Sequence, residues 1–278
     1  MRTAICISGE LRSYDITAEE LRHHIINPLN ADVFIYSWDT ISGTWKTRNA
    51  SNIYNNFLVD DVRHEEPAET LKRNLEALYS PISMVLEPFK EEYKNNIENV
   101  SRPQELIDDP NLSKWCQHDL AMFYTMYKCN ELKKQYEQEN NFKYDLVIKI
   151  RTDIRFPHLG SLKASLQDMC KNTLWYWPKD HNEAHVVSDK FAFSTSEIMD
   201  YYSSVFTKLN EYWAEGIMVE STQVPKISEH TLWSHFHEKS NYEVRSYGDE
   251  YYDKPRAEAN NKQVNERIAA FRKKYPKK

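Results

Sequence analysis

The stretch from Asn141 to Phe156, NFKYDLVIKIRTDIRF, constrains this chain most, because it is a short apolar run that ends in charge. Leu146, Val147, Ile148 and Ile150 give the β-branched density of a strand buried on both faces, as parallel strands are. At its carboxyl end Arg151, Asp153 and Arg155 alternate with Thr152 and Ile154, and Pro157 closes the strand because proline cannot continue a ladder. Open α/β sheets bind ligands outside the carboxyl ends of their strands. A carboxylate between two guanidinium groups at such a point suits a diphosphate, with or without a divalent metal. The plainer reading is a solvated strand end in which Arg151 and Asp153 form an ion pair.

With 278 residues the chain can bury a substantial core as one large domain or two small ones. With a formal net charge of −6, general nucleic-acid binding through a basic surface is not the default expectation. The 18 Tyr and 7 Trp suit carbohydrate or nucleotide surfaces, and they are equally ordinary core material. Cys6, Cys116, Cys129 and Cys170 form no Cys-x-x-Cys pair, so they read as reduced thiols in a cytoplasmic setting. The opening MRTAICISGELRSY has an apolar run too short for a signal peptide and no cleavage signal. No apolar run approaches the roughly 18 residues of a membrane span.

Thr3–Ser8 reads as a buried first strand, followed at once by Gly9, Glu10, Leu11 and Arg12. Thr17-Ala-Glu-Glu20 has the pattern of a capping box opening a helix to about Ile26. Strand, glycine turn, arginine and helix make a pocket for the base or phosphates of a nucleotide, although the segment is neither GxGxxG nor a P-loop. The structural alternative is that Gly9 only permits a tight turn. Asp32–Trp38 is a second buried strand ending in Asp39, so Ser8, Gly9, Arg12, Asp39 and Asp153 are expected along one sheet edge.

Residues 40–65 read as a long loop, Glu66–Tyr79 as a helix and Ile82–Leu86 as a short strand. Glu91–Leu112, charged and broken by Pro103 and Pro110, reads as a mobile or inserted segment. Asp119–Gln138 is the longest helical signal and is apolar on opposite faces, hence buried on both. Leu174–Trp177 reads as an exposed or edge strand and His185–Ser194 as a strand interrupted by Ser188-Asp-Lys190. Ser194-Thr-Ser-Glu197 is a second capping box, Ser228 caps a helix carrying Glu229, and Tyr242–Tyr247 forms a last strand. His235 and His237, two apart, point away from each other on a helix and make no metal pair.

These signals predict an α/β fold: a single Rossmann-like domain over 1–247 with a mostly parallel central sheet and helices on both faces. Residues 248–278 form a basic extension, in which Lys262–Lys278 carries seven Lys/Arg against one Glu. Val264, Ile268, Phe271 and Tyr275 share one helical face there. That face reads as a docked helix or, alternatively, as a peripheral contact with an anionic membrane surface.

Four blocks in this order resemble a family of nucleotide-sugar glycosyltransferases with a GT-A-like fold, found in bacterial polysaccharide loci and large DNA viruses. They are Ala4–Ser13, Asn27–Asp39, Tyr144–Phe156 and Ser188–Ser196, spread over about the first 200 residues. Members show a YDxVIxxRxD pattern that resembles the Asp-x-Asp motif of GT-A enzymes. Asp153 matches its final Asp, and Arg151 stands where the first Asp of that motif would be. The resemblance implies a nucleoside-diphosphate-sugar donor bound through Ser8, Gly9, Arg12, Asp39, Arg151, Asp153 and Arg155. It leaves open whether Mn²⁺ or Mg²⁺ on Asp153 or the arginines alone neutralise the diphosphate. It also implies that Asp189 faces the sugar or acceptor and that Glu229 is an acceptor-side carboxylate.

The implied activity is transfer of a sugar to a glycan or lipid-linked acceptor, in the cytoplasm or peripherally at a membrane. An inverting enzyme needs a carboxylate to deprotonate the acceptor hydroxyl, for which Asp189 is preferred over Glu229. The alternative from another class is a non-catalytic glycan-binding or scaffold protein that keeps the fold. A nucleotidyltransferase or methyltransferase is less favoured, since Gly-rich loops are lacking.

Overall fold

The computed structural model describes residues 1–11, 14–39, 67–88, 110–152, 166, 168–176, 187–214, 232, 235–236 and 239–246. Arg12, residues 40–66, Asp153, Arg155, Ser228, Glu229 and the basic segment 248–278 lie outside them, as does residues 91–109 of the expected insertion.

Alternation of side chains along the strands dictates the layering. In β1 (Thr3–Ser8) Ala4 and Cys6 face one side, and Ile5 and Ile7 the other. The same split separates Phe34, Tyr36 and Trp38 from Val33 and Ile35 in β2 (Asp32–Trp38). In β4 (Leu146–Ile150), Val147 lies opposite to Leu146, Ile148 and Ile150. Strands with two apolar faces require a helical layer on each.

One layer comprises α1 (Tyr14–Leu21), a π-helical turn Arg22–Ile26, α2 (Asn27–Leu29) and α3 (Ala68–Tyr79). It buries Ala18, Leu21, Ile25, Leu71 and Leu75 against the isoleucine side. The other comprises α4 (Pro110–Glu139), α5 (Ser196–Ser203) and α6 (Val205–Ala214), burying Phe123, Met126, Cys129, Met199 and Tyr202. Each such large apolar side chain contributes about 1.5–3 kcal/mol on burial.

The remaining strands are β3 (Ser83–Glu87), β5 (Thr173–Tyr176), β6 (Phe191–Ser194) and β7 (Glu243–Ser246). Together they make a seven-stranded sheet of order β3-β2-β1-β4-β6-β5-β7. The β1–β2, β1–β4, β2–β3 and β5–β7 pairs are parallel, whereas β6 runs antiparallel to both neighbours. The fold is therefore α/β with a mostly parallel mixed sheet and helices on both faces. From β1 the chain winds outward through β2 and β3, then returns on the other side of β1 as β4. That reversal makes the crevice between the carboxyl ends of β1 and β4 a topological switch point, the place where such sheets bind ligands.

Several local expectations change. Thr17 does not cap a helix; α1 already begins at Tyr14, and the Thr17 hydroxyl donates to the Thr152 carbonyl at 2.8 Å. Ser194 is likewise engaged, donating to the Thr173 carbonyl at 2.6 Å, so Thr195 caps α5 by accepting the Ile198 N–H. The long helix starts nearer its proline than its apolar periodicity indicates. The β5 strand is not an edge: Trp175 pairs with Phe193 on one side and Arg245 on the other. Among the described residues no helix is long and apolar enough to cross a membrane.

Candidate functional site

The carboxyl ends of β1, β2 and β4 and the amino end of the reversed β6 share one edge of the sheet. This edge brings together Ser8, Gly9, Asp39, Arg151 and Asp189 among the expected site residues. Gly9 leaves β1 with φ +96°, a backbone state that L side chains rarely adopt. A Cβ built there would meet no atom of the described residues within 4 Å, so conformation rather than crowding calls for glycine. The buried Ser37 hydroxyl donates to the Gly9 carbonyl at 2.7 Å. Across the crevice the Thr17 hydroxyl fixes Thr152, so backbone on both sides of the switch point is held by a buried side chain. Ser8 is buried as the last residue of β1, and Asp39, half-buried, donates its N–H to the Glu87 carbonyl at 2.9 Å.

Arg151 and Asp189 form the charged centre of the edge. The guanidinium Nη1 donates to Asp189 Oδ2 at 2.8 Å. The Arg151 side chain keeps 20% of its surface exposed and the Asp189 side chain 5%. Asp189 sits on a short turn that leads into β6. The buried Tyr202 hydroxyl donates to the Ser188 carbonyl at 2.9 Å, and Lys190 donates its N–H to the Ser188 hydroxyl at 3.2 Å. Lys190 in turn accepts the Arg151 N–H at 3.0 Å. Burial opposes ionisation of Asp189, but the charges of Arg151, Lys149 and Lys190 overcome it and hold the carboxyl well below the usual carboxylate range. The group is a fixed anion beneath a fixed cation.

Beside this centre, at the ends of β2 and β3, aromatic side chains close the corner. Trp38 stacks on Tyr124 with ring centroids 6.0 Å apart, and Phe206 meets Tyr124 edge-on at 5.3 Å. The Tyr36 hydroxyl donates to that of Tyr124 at 3.4 Å, which reaches Glu87 Oε2 at 3.4 Å. Burial and those two partners push the Tyr36 phenol far above its ordinary value, so it stays neutral. Trp38 and Tyr124 are buried and act as packing.

The described donors at this edge do not fit a divalent cation. Arg151 engages Asp189, Asp39 lies on the far side of β1 from it, and no group of three His, Cys, Asp or Glu among the described residues could hold a metal. Asp153, the expected metal ligand, follows two residues after Arg151 and lies outside the described residues with Arg12, Arg155 and Glu229. Sequence reading missed Lys149, a fully buried cation whose charge helps to ionise Asp189. A lysine inside an otherwise apolar strand is the signal that could have found it. Thr17, Ser37 and Tyr202 carried no such signal, because their partners are distant in sequence.

Comparison with family models, curated proteins and solved structures finds no match to this chain.

Proposed function

We propose that this protein is a glycosyltransferase that moves a sugar from a nucleoside-diphosphate sugar to a glycan or lipid-linked acceptor. The observation that carries the reading is the Arg151–Asp189 pair standing at the switch point of the sheet, across from the left-handed turn at Gly9. A mostly parallel sheet with one reversed strand beside β4 is compatible with the GT-A-type fold that the sequence resemblance implies. Glycosyl transfer proceeds through an oxocarbenium-like state while negative charge gathers on the departing diphosphate. A guanidinium fixed at a ligand crevice supports that chemistry, since it binds phosphate oxygens through a planar fork of donors.

Calorimetry with UDP-, GDP- and dTDP-sugars, each with and without Mn²⁺, tests the proposal alongside donor hydrolysis. Silence toward every donor under both conditions defeats it. Asp153→Ala should abolish turnover while leaving the melting temperature nearly unchanged. A second reading, a non-catalytic glycan-binding protein on the same fold, draws support from the engagement of Asp189 by Arg151, which occupies an expected catalytic carboxylate. Glycan binding without donor binding would select it.

A further inference from the structure

We infer that Asp189 acts as a positioning residue, holding the Arg151 guanidinium at the switch point as the contact for a donor's diphosphate. The inference rests on the glycosyltransferase reading and differs from the acceptor-base role that the sequence resemblance implies for Asp189. Depth is the first argument: the carboxylate is nearly covered, while the guanidinium above it remains partly exposed. A general base must come within hydrogen-bond reach of the proton it removes. With 5% of its side chain exposed and Oδ2 held by Arg151, Asp189 offers an acceptor hydroxyl little of its carboxylate.

Rigidity is the second argument. The turn carrying Asp189 is held by Tyr202 through Ser188 and by the Arg151 N–H through Lys190. Arg151 is thus gripped by the same turn at its backbone and at its side chain. A long flexible side chain fixed twice loses little further entropy when an anion arrives, which is what preorganised charge stabilisation requires. In the transfer step the bond from the anomeric carbon to the diphosphate oxygen breaks, and its electron pair stays on the diphosphate beside Arg151. The acceptor oxygen bonds to that carbon, and its proton passes to a base other than Asp189.

The test compares wild type with Arg151→Gln, Asp189→Asn and the double variant, measuring Kd for UDP, GDP, dTDP, inorganic pyrophosphate and uridine. Arg151→Gln should weaken diphosphate binding by about 10-fold or more, as loss of a charged hydrogen-bond partner does. Asp189→Asn should weaken it by about 3- to 10-fold and raise donor KM more than it lowers kcat. The double variant should be no worse than Arg151→Gln within about twofold, because both act through one group. Uridine binding should not change. A fall in kcat of about 100-fold or more in Asp189→Asn with diphosphate Kd intact would overturn the inference in favour of a base. Should these variants not fold, wild-type protein treated with phenylglyoxal gives the answer by peptide mass spectrometry. Pyrophosphate should protect Arg151 from modification, and equal labelling with and without it overturns the inference. Protection of Arg151 without sugar transfer to any acceptor supports the site but counts against the transferase reading. Transfer by a chain whose Arg151 is unprotected does the reverse.

Discussion

Glu137 Oε1 accepts the backbone N–H of Tyr144 at 2.8 Å, tying the end of the long helix to the segment that leads into β4. The same carboxylate accepts the Ser196 hydroxyl at 2.7 Å and Lys143 Nζ at 2.9 Å, and Lys133 Nζ lies 3.3 Å away. Lys133 also reaches Asp200 at 2.7 Å, so α4, α5 and β4 converge on one buried polar hub. It lies at the edge of the sheet opposite the candidate site, where β4 begins and β6 ends.

Removing the Glu137 carboxylate strips the buried Tyr144 N–H of its acceptor, while Lys133 keeps Asp200 and Ser196 as partners and Lys143 keeps solvent. Glu137→Ala should therefore cost about 1–3 kcal/mol, read from the urea midpoint, and Glu137→Gln less, because an amide oxygen can still accept from Tyr144. A loss under 1 kcal/mol for the alanine variant would show that water reaches the hub.

His235 gives a pH dependence of definite sign. Its ring stacks on Tyr201 with centroids 4.1 Å apart, and Nε2 donates to the Tyr201 carbonyl at 2.8 Å. Nδ1 is then the acceptor for the Tyr212 hydroxyl, an arrangement that only a neutral imidazole satisfies. Burial pulls the His235 pKa down to about 4. Between the unfolded value near 6.5 and that folded value the unfolded chain binds the extra proton. Stability is thus fully present above about pH 6.5 and falls as pH drops through the window, by at most about 3 kcal/mol. His235→Gln should flatten that part of the wild-type curve; parallel curves for the two proteins would refute the assignment.

Gly9→Ala meets no clash with the described residues, yet it must adopt φ +96°. The expected cost is about 1–2 kcal/mol in thermal or chemical denaturation, from backbone strain alone. Ser37→Ala, which removes the hydroxyl bound to the Gly9 carbonyl, should cost about 1 kcal/mol by the same measurement. If Gly9→Ala proves neutral, the turn is free to relax.

Tyr202→Phe deletes the donor to the Ser188 carbonyl without altering the packing of the ring. We expect a loss of about 1–2 kcal/mol in stability, with weaker UDP binding as the Asp189 turn loosens. Unchanged UDP affinity together with the stability loss would separate that turn from ligand binding.

The sheet was legible where burial is two-sided. β1, β2 and β4 are short apolar runs whose composition alone demands an interior place, and they appear almost where their residues put them. What local patterning could not reveal was partnership across the fold. Thr17 and Ser194 sit in sequences that suit helix caps, yet a carbonyl 135 residues away takes the first hydroxyl and one 21 residues away the second. Trp175 looked like edge material because an amphipathic aromatic strand reads alike whether its far side meets water or β7. In the candidate site, Arg151 and Asp189 were each visible as charges at strand ends. Their pairing was not, since an ion pair of Arg151 with Asp153 was equally good on spacing; the direction of β6 decides which strand-end residues come within reach of Arg151.

The reversal of β6 has a wider meaning for how this corner is built. A strand in the common direction would deliver its preceding turn to the opposite rim, and only outgoing segments would surround the crevice. Turned around, β6 supplies an incoming segment, so residues 38 positions apart meet head-on. The meeting of this guanidinium with this carboxylate is consequently written by strand orientation.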